Sequence, residues 1–132
     1  MKALPIKLLF LAALLGTTVP ATATETTLQT PTGQPLPATL HFSASPLKSM
    51  TEIPFRFELD DTALVISSAE CDLTMPAMPM PENKPELECL ANICSGTAVF
   101  TMAGPWRVTF DLFLKNDART SIVFDIDMVE MK

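Results

Sequence analysis

Apolar and polar residues alternate one by one through most of this chain, and that period of two constrains the fold more than any other feature. Phe55, Phe57 and Leu59 alternate with Arg56, Glu58 and Asp60. Ala69, Cys71, Leu73 and Met75 alternate with Glu70, Asp72 and Thr74. The longest run sets Trp106, Val108, Phe110, Leu112 and Leu114 against Arg107, Thr109, Asp111 and Lys115, and the last places Ile122, Phe124, Ile126 and Met128 opposite Asp125 and Asp127. Leu40 and Phe42 flank His41, and Leu64 and Ile66 add a shorter piece. Side chains on a strand point to opposite faces in turn, so each run offers one face to a core and one to water. Ser45-Pro46, Asp60-Asp61, Ser95-Gly96, Gly104-Pro105 and Asn116-Asp117 read as turns between the runs. Twelve prolines fit poorly into helices. The expectation is an all-β, antiparallel two-sheet sandwich of about seven strands, with Trp106 as a core anchor.

The amino terminus reads as an export signal. Lys2 and Lys7 precede and flank a short apolar run, residues 8–15, that ends at Gly16, and Ala21-Thr22-Ala23 supplies the small residues of a cleavage site. The run is shorter than the ~20 apolar residues a membrane-spanning helix needs. Cleavage after Ala23 is expected, with a periplasmic location and no membrane insertion of the mature chain. Residues 24–37 are rich in Thr and Pro and read as a flexible lead-in, so the folded domain is expected over 38–132.

Loss of Lys2 and Lys7 leaves fifteen acidic side chains against seven basic ones, a net charge of -8. An acidic surface repels phosphate backbones and argues against nucleic acid as a partner. Cys71, Cys89 and Cys94 remain after cleavage. An oxidising compartment favours one disulfide; three pairings are open, and Cys89 with Cys94 is the pair nearest in sequence. The leftover thiol is then buried, bonded to a partner, or a ligand.

The segment with the most chemical character is residues 74–85, TMPAMPMPENKP. Pro76, Pro79 and Pro81 oppose regular strand pairing and are expected to hold the backbone extended. Met78 and Met80, two apart, would then point the same way, with Met75 at the end of the preceding strand. Thioether sulfur is a soft, uncharged ligand that suits Cu(I), and it needs no deprotonation. Met75, Met78 and Met80 are therefore the candidate metal ligands. Cys71 and His41 rank below them: Cys71 lies about 13 Å along an extended strand from Met75 at ~3.3 Å per residue, and His41 is the sole histidine. Methionine is also an ordinary filler of irregular core gaps. One histidine cannot build a three-histidine or blue-copper centre. No GxSxG or phosphate-loop motif is present, so an enzyme is not expected.

Met75-Pro76-Ala77-Met78-Pro79-Met80, then Gly96, then Gly104-Pro105-Trp106-Arg107-Val108 resemble the YtkA-like domain family in that order, with a looser likeness to FixH-type proteins. The resemblance spans roughly residues 46–128. It implies an immunoglobulin-like β-sandwich of the cell envelope, associated with copper handling or oxidase assembly. The family's loop after the methionines often carries histidines, whereas Pro81-Glu82-Asn83-Lys84 has none. The position two beyond the glycine, commonly aromatic, is Ala98. The expected function is exported Cu(I) binding, the alternative a metal-free module that docks an envelope protein.

Overall fold

The computed structural model describes residues 25–132, so the export signal expected over residues 1–23 lies outside the described residues. Eight strands follow one another: β1 (Thr26–Gln29), β2 (Ala38–Phe42), β3 (Glu52–Leu59), β4 (Ile66–Thr74), β5 (Glu88–Leu90), β6 (Ile93–Val99), β7 (Gly104–Leu114) and β8 (Arg119–Val129). They form a five-stranded sheet in the order β1-β2-β3-β6-β5 and a three-stranded sheet in the order β4-β7-β8. Every strand pairing is antiparallel. Among the described residues no helix is long and apolar enough to cross a membrane.

The alternating runs bury the faces expected of them. In β3, Phe55, Phe57 and Leu59 are buried, and in β7 so are Trp106, Val108, Phe110, Leu112 and Leu114. Phe57 of the larger sheet stacks on Phe110 of the smaller one with ring centroids 4.2 Å apart, and Phe124 meets both rings edge-on. Fully burying a side chain of this size contributes about 1.5–3 kcal/mol. Tilted and offset ring pairs add roughly 0.5–1.5 kcal/mol each. Trp106 lies against Phe100, and its indole N–H donates to the Met102 carbonyl at 2.9 Å, so the ring is buried without an unpaired polar atom.

Hydrogen bonds to backbone groups cover both open sides of the sandwich. On one side β4 is bridged to the larger sheet: Ile66 N–H donates to Ala91 O, Leu73 N–H to Asn83 O, and the Asn83 side chain to Val99 O. On the other, Val123 N–H of β8 donates to the Gln34 side chain. Such cover leaves fewer unpaired edge groups for another chain to pair with.

Four expectations need correction. Paired structure begins before residue 38, because Thr26–Gln29 add to β2 as an edge strand; backbone pairing compensates for a polar sequence there. Ser95-Gly96 is not a turn but the middle of β6. Gly96 is there for closeness: a Cβ would stand 2.7 Å from Glu86 O and 2.9 Å from the Phe55 ring. Met75–Met80 is not uniformly extended, since Met78 N–H donates to Met75 O at 3.2 Å and closes a turn. Finally, Met128 is not on the core face. Trp106 pairs with Ile126 but Gly104 with Val129, so β8 carries an extra residue there. That bulge turns Met128 outward and Val129 inward.

Candidate functional site

The turn that begins at Met75 carries the three methionines singled out from sequence, and they differ in depth. Met75 continues β4 past Thr74, is buried, and packs its ε-methyl beside Gly104, 3.1 Å from where a Cβ would stand. Gly104 has φ of 127°, a conformation that side-chain-bearing residues avoid, so a glycine both permits the bend and leaves the methyl its place. Met78, at the far corner of the turn, is 42% exposed. Met80 is half-buried against the core. The turn brings Met75 and Met78 to its two ends, and Met80 opens the strap over residues 80–87 that crosses to β6.

That strap is anchored on both sheets. Asn83 accepts from Leu73 N–H and donates to Val99 O, each at 2.9 Å. Lys84 reaches Glu82 and Glu70 at 3.3 and 3.5 Å, and those carboxylates raise its ammonium pKa, Glu82 most. Exposed pairs of this kind add little stability, so the Asn83 bonds are what fix the strap.

The two lower-ranked candidates lie apart from this turn. Cys71 is fully buried in β4 opposite Phe110. Burial, with a smaller contribution from the neighbouring Asp72 charge, pushes its thiol up to about 12. The thiolate needed for metal binding is thus suppressed at neutral pH. His41 lies on β2 opposite Arg56, with Nδ1 3.2 Å from the Thr27 hydroxyl. Cys89 and Cys94 face each other across the β5–β6 hairpin and form the disulfide, which leaves Cys71 as the free cysteine among the described residues. No group of three or more His, Cys, Asp and Glu side chains among the described residues is placed to hold a metal ion. Thioether sulfurs are a donor set separate from these nitrogen, oxygen and thiolate groups.

The strand registers reveal what local spacing does not. Glu52 pairs with Val99, Thr74 with Arg107, and Gly104 with Val129. The start of β3, the ends of β4 and β6, the start of β7 and the end of β8 therefore share one end of the sandwich. All seven methionines of the described residues belong to that end. Met50 precedes β3, Met75, Met78 and Met80 follow β4, Met102 lies between β6 and β7, and Met128 and Met131 lie at the end of β8 and beyond it. Met50, Met78, Met102, Met128 and Met131 are exposed there. Sequence reading missed Met50, Met102, Met128 and Met131 because they are far apart along the chain; only the topology gathers them.

This methionine pole can offer several soft, neutral donors whose charge does not change with pH. Comparison with known proteins found no matching family model, no matching curated protein and no matching solved structure.

Proposed function

We propose that the chain is an exported Cu(I)-binding protein of the cell envelope, with Met75, Met78 and Met80 as ligands. The observation that carries this reading is the collection of all seven described methionines at one end of the sandwich. Core filling alone gives methionine no reason to favour one pole, and five of the seven are exposed rather than packed. Cu(I) prefers sulfur donors. Met78 is an exposed donor and Met80 a half-buried one; Met75 would join them by rotating about its flexible side-chain bonds. Cys71 takes no part, because a buried neutral thiol is a poor ligand.

The family resemblance supports the same assignment. Apart from β1, the sheet orders β2-β3-β6-β5 and β4-β7-β8 follow the ABED and CFG orders of a constant-type immunoglobulin sandwich. This is the basis for reading the domain as immunoglobulin-like and YtkA-like. The tryptophan and the disulfide fall on other strands than in antibody domains, which sets this chain apart from them.

The test is Cu(I) competition against a coloured chelator under reducing conditions. Met75→Leu/Met78→Leu/Met80→Leu keeps volume and apolarity, and it is expected to lose one bound ion while the far-ultraviolet spectrum is unchanged. Undiminished uptake by that variant overturns the assignment. N-terminal sequencing of protein from a periplasmic extract is expected to begin at Thr24. The exposure of Met50, Met128 and Met131 also suits a metal-free docking surface. Co-purification of an envelope protein that persists after copper is chelated would assign the pole to that role instead.

A further inference from the structure

Of the four methionines beyond the β4 turn, three are tied to one another through the backbone. Met50 N–H donates to Phe100 O at 2.7 Å, which seats Met50 two residues from Met102. Ser49, next to Met50, donates to Glu130 O at 2.8 Å, and its hydroxyl accepts from Lys132 N–H at 3.3 Å, so residues 130–132 run alongside it. Met131 lies between those two bonds. The Met102 carbonyl is fixed in turn by the Trp106 indole. Met50 is 58%, Met102 45% and Met131 78% exposed, so all three residues are open to solvent. This group occupies the side of the pole where β3 meets the end of β8. The Met75–Met80 turn leaves from the side where β4 meets β6, and it approaches this group at Met75, which lies beside Gly104, two residues from Met102.

Met50 also has a positive φ, as do Ala91 and Asp117 in the β5–β6 and β7–β8 hairpin turns. The Met50 φ of 57° lies in the left-handed region, where glycine and asparagine are the ordinary occupants. An exposed methionine there gains no core packing in return. Residues held in such conformations concentrate at ligand sites.

We propose that Met50, Met102 and Met131 form a second, independent Cu(I) locus on the same pole. It rests on the reading of the pole as a soft-metal surface and extends it from one ion to two. The seating bonds bring together the backbone of the three distant segments that carry these donors. Neutral thioethers leave the charge of a bound Cu(I) uncompensated, and the acidic surface of the chain offsets this at longer range.

The experiment is titration of the purified reduced protein with Cu(I), and with Ag(I) as a redox-inert substitute. Stoichiometry is read by native mass spectrometry and site occupancy by the methyl signals of 13C-methyl-labelled methionine. Wild type is expected to bind two ions. Met75→Leu/Met78→Leu/Met80→Leu should keep one, with shifts confined to the Met50, Met102 and Met131 methyls. Met50→Leu/Met102→Leu/Met131→Leu should keep one, with shifts confined to the other turn. Met50→Gly, which suits the local φ, should by itself weaken the second locus at least tenfold with the fold intact. One ion in wild type that only the Met75/Met78/Met80 variant loses would overturn the second locus and leave the first standing. One ion lost in both triple variants would also overturn it, as a single shared site. No bound ion in wild type would remove both.

Discussion

Gly96→Ala measures how firmly the strap over residues 80–87 is held. The added methyl would sit 2.7 Å from Glu86 O, 2.9 Å from the Phe55 ring and 3.2 Å from Leu87. The first two are closer than atoms tolerate, and neither neighbour is a free side-chain end. Glu86 O is backbone, and Phe55 is buried against Phe42 and Phe110. Overpacking of this kind costs about 1–3 kcal/mol. Replacing a strand glycine by alanine recovers roughly 0.5–1 kcal/mol of backbone entropy. The net loss is about 1–2 kcal/mol, which in urea lowers the midpoint by about 0.5–1 M for a slope near ~2 kcal/mol/M. Equilibrium unfolding followed by Trp106 emission gives the number. Ser95→Ala, on the adjacent exposed position, is the control and should move the midpoint little. A Gly96→Ala midpoint equal to or above that of wild type would refute the close seating of the strap on β6.

Two further outcomes follow from the sulfur chemistry. Cys71 has its pKa raised from 9.0 to about 12 by burial, so the native state holds the proton that the unfolded state releases. Its contribution is complete below pH 9 and is lost as pH rises toward 12, by up to about 1.4 kcal/mol per unit. Cys71→Ala should flatten the fall of stability above pH 9, measured as urea midpoints at stepped pH; parallel curves for the two proteins would contradict the burial argument. Reduction of Cys89–Cys94, a link spanning a separation of 5 residues, should cost about 2 kcal/mol by loop-closure entropy. The midpoint with and without reductant, against a Cys89→Ala/Cys94→Ala reference that ignores reductant, tests it; an unchanged wild-type midpoint would show that the hairpin holds without its bond.

The parts of the fold that could be read from sequence are those whose pattern is local. Strands β3, β4, β7 and β8 announce themselves because each buries one face along most of its length. Strand β1 could not be found that way: TTLQ has almost nothing to bury, and only the neighbouring strand gives it structure. Strand β6 was obscured by Gly96, whose reason lies in the strap and the Phe55 ring, both distant in sequence. The candidate site divides in the same manner. Met75, Met78 and Met80 are a local cluster and visible as such. Met50, Met102 and Met131 meet only through the crossing of three connections, and Met128 faces outward only because of a bulge that alternation cannot foresee.

Trp106 makes the pole observable without a label. It is the chain's single tryptophan, there is no tyrosine, and its indole is bonded to the loop that carries Met102. The indole emission of the molecule therefore originates beside the loop that carries Met102. A soft ion bound at that loop would lie close enough to quench this light, so the protein brings its own gauge of occupancy, with a background free of other phenolic or indole chromophores.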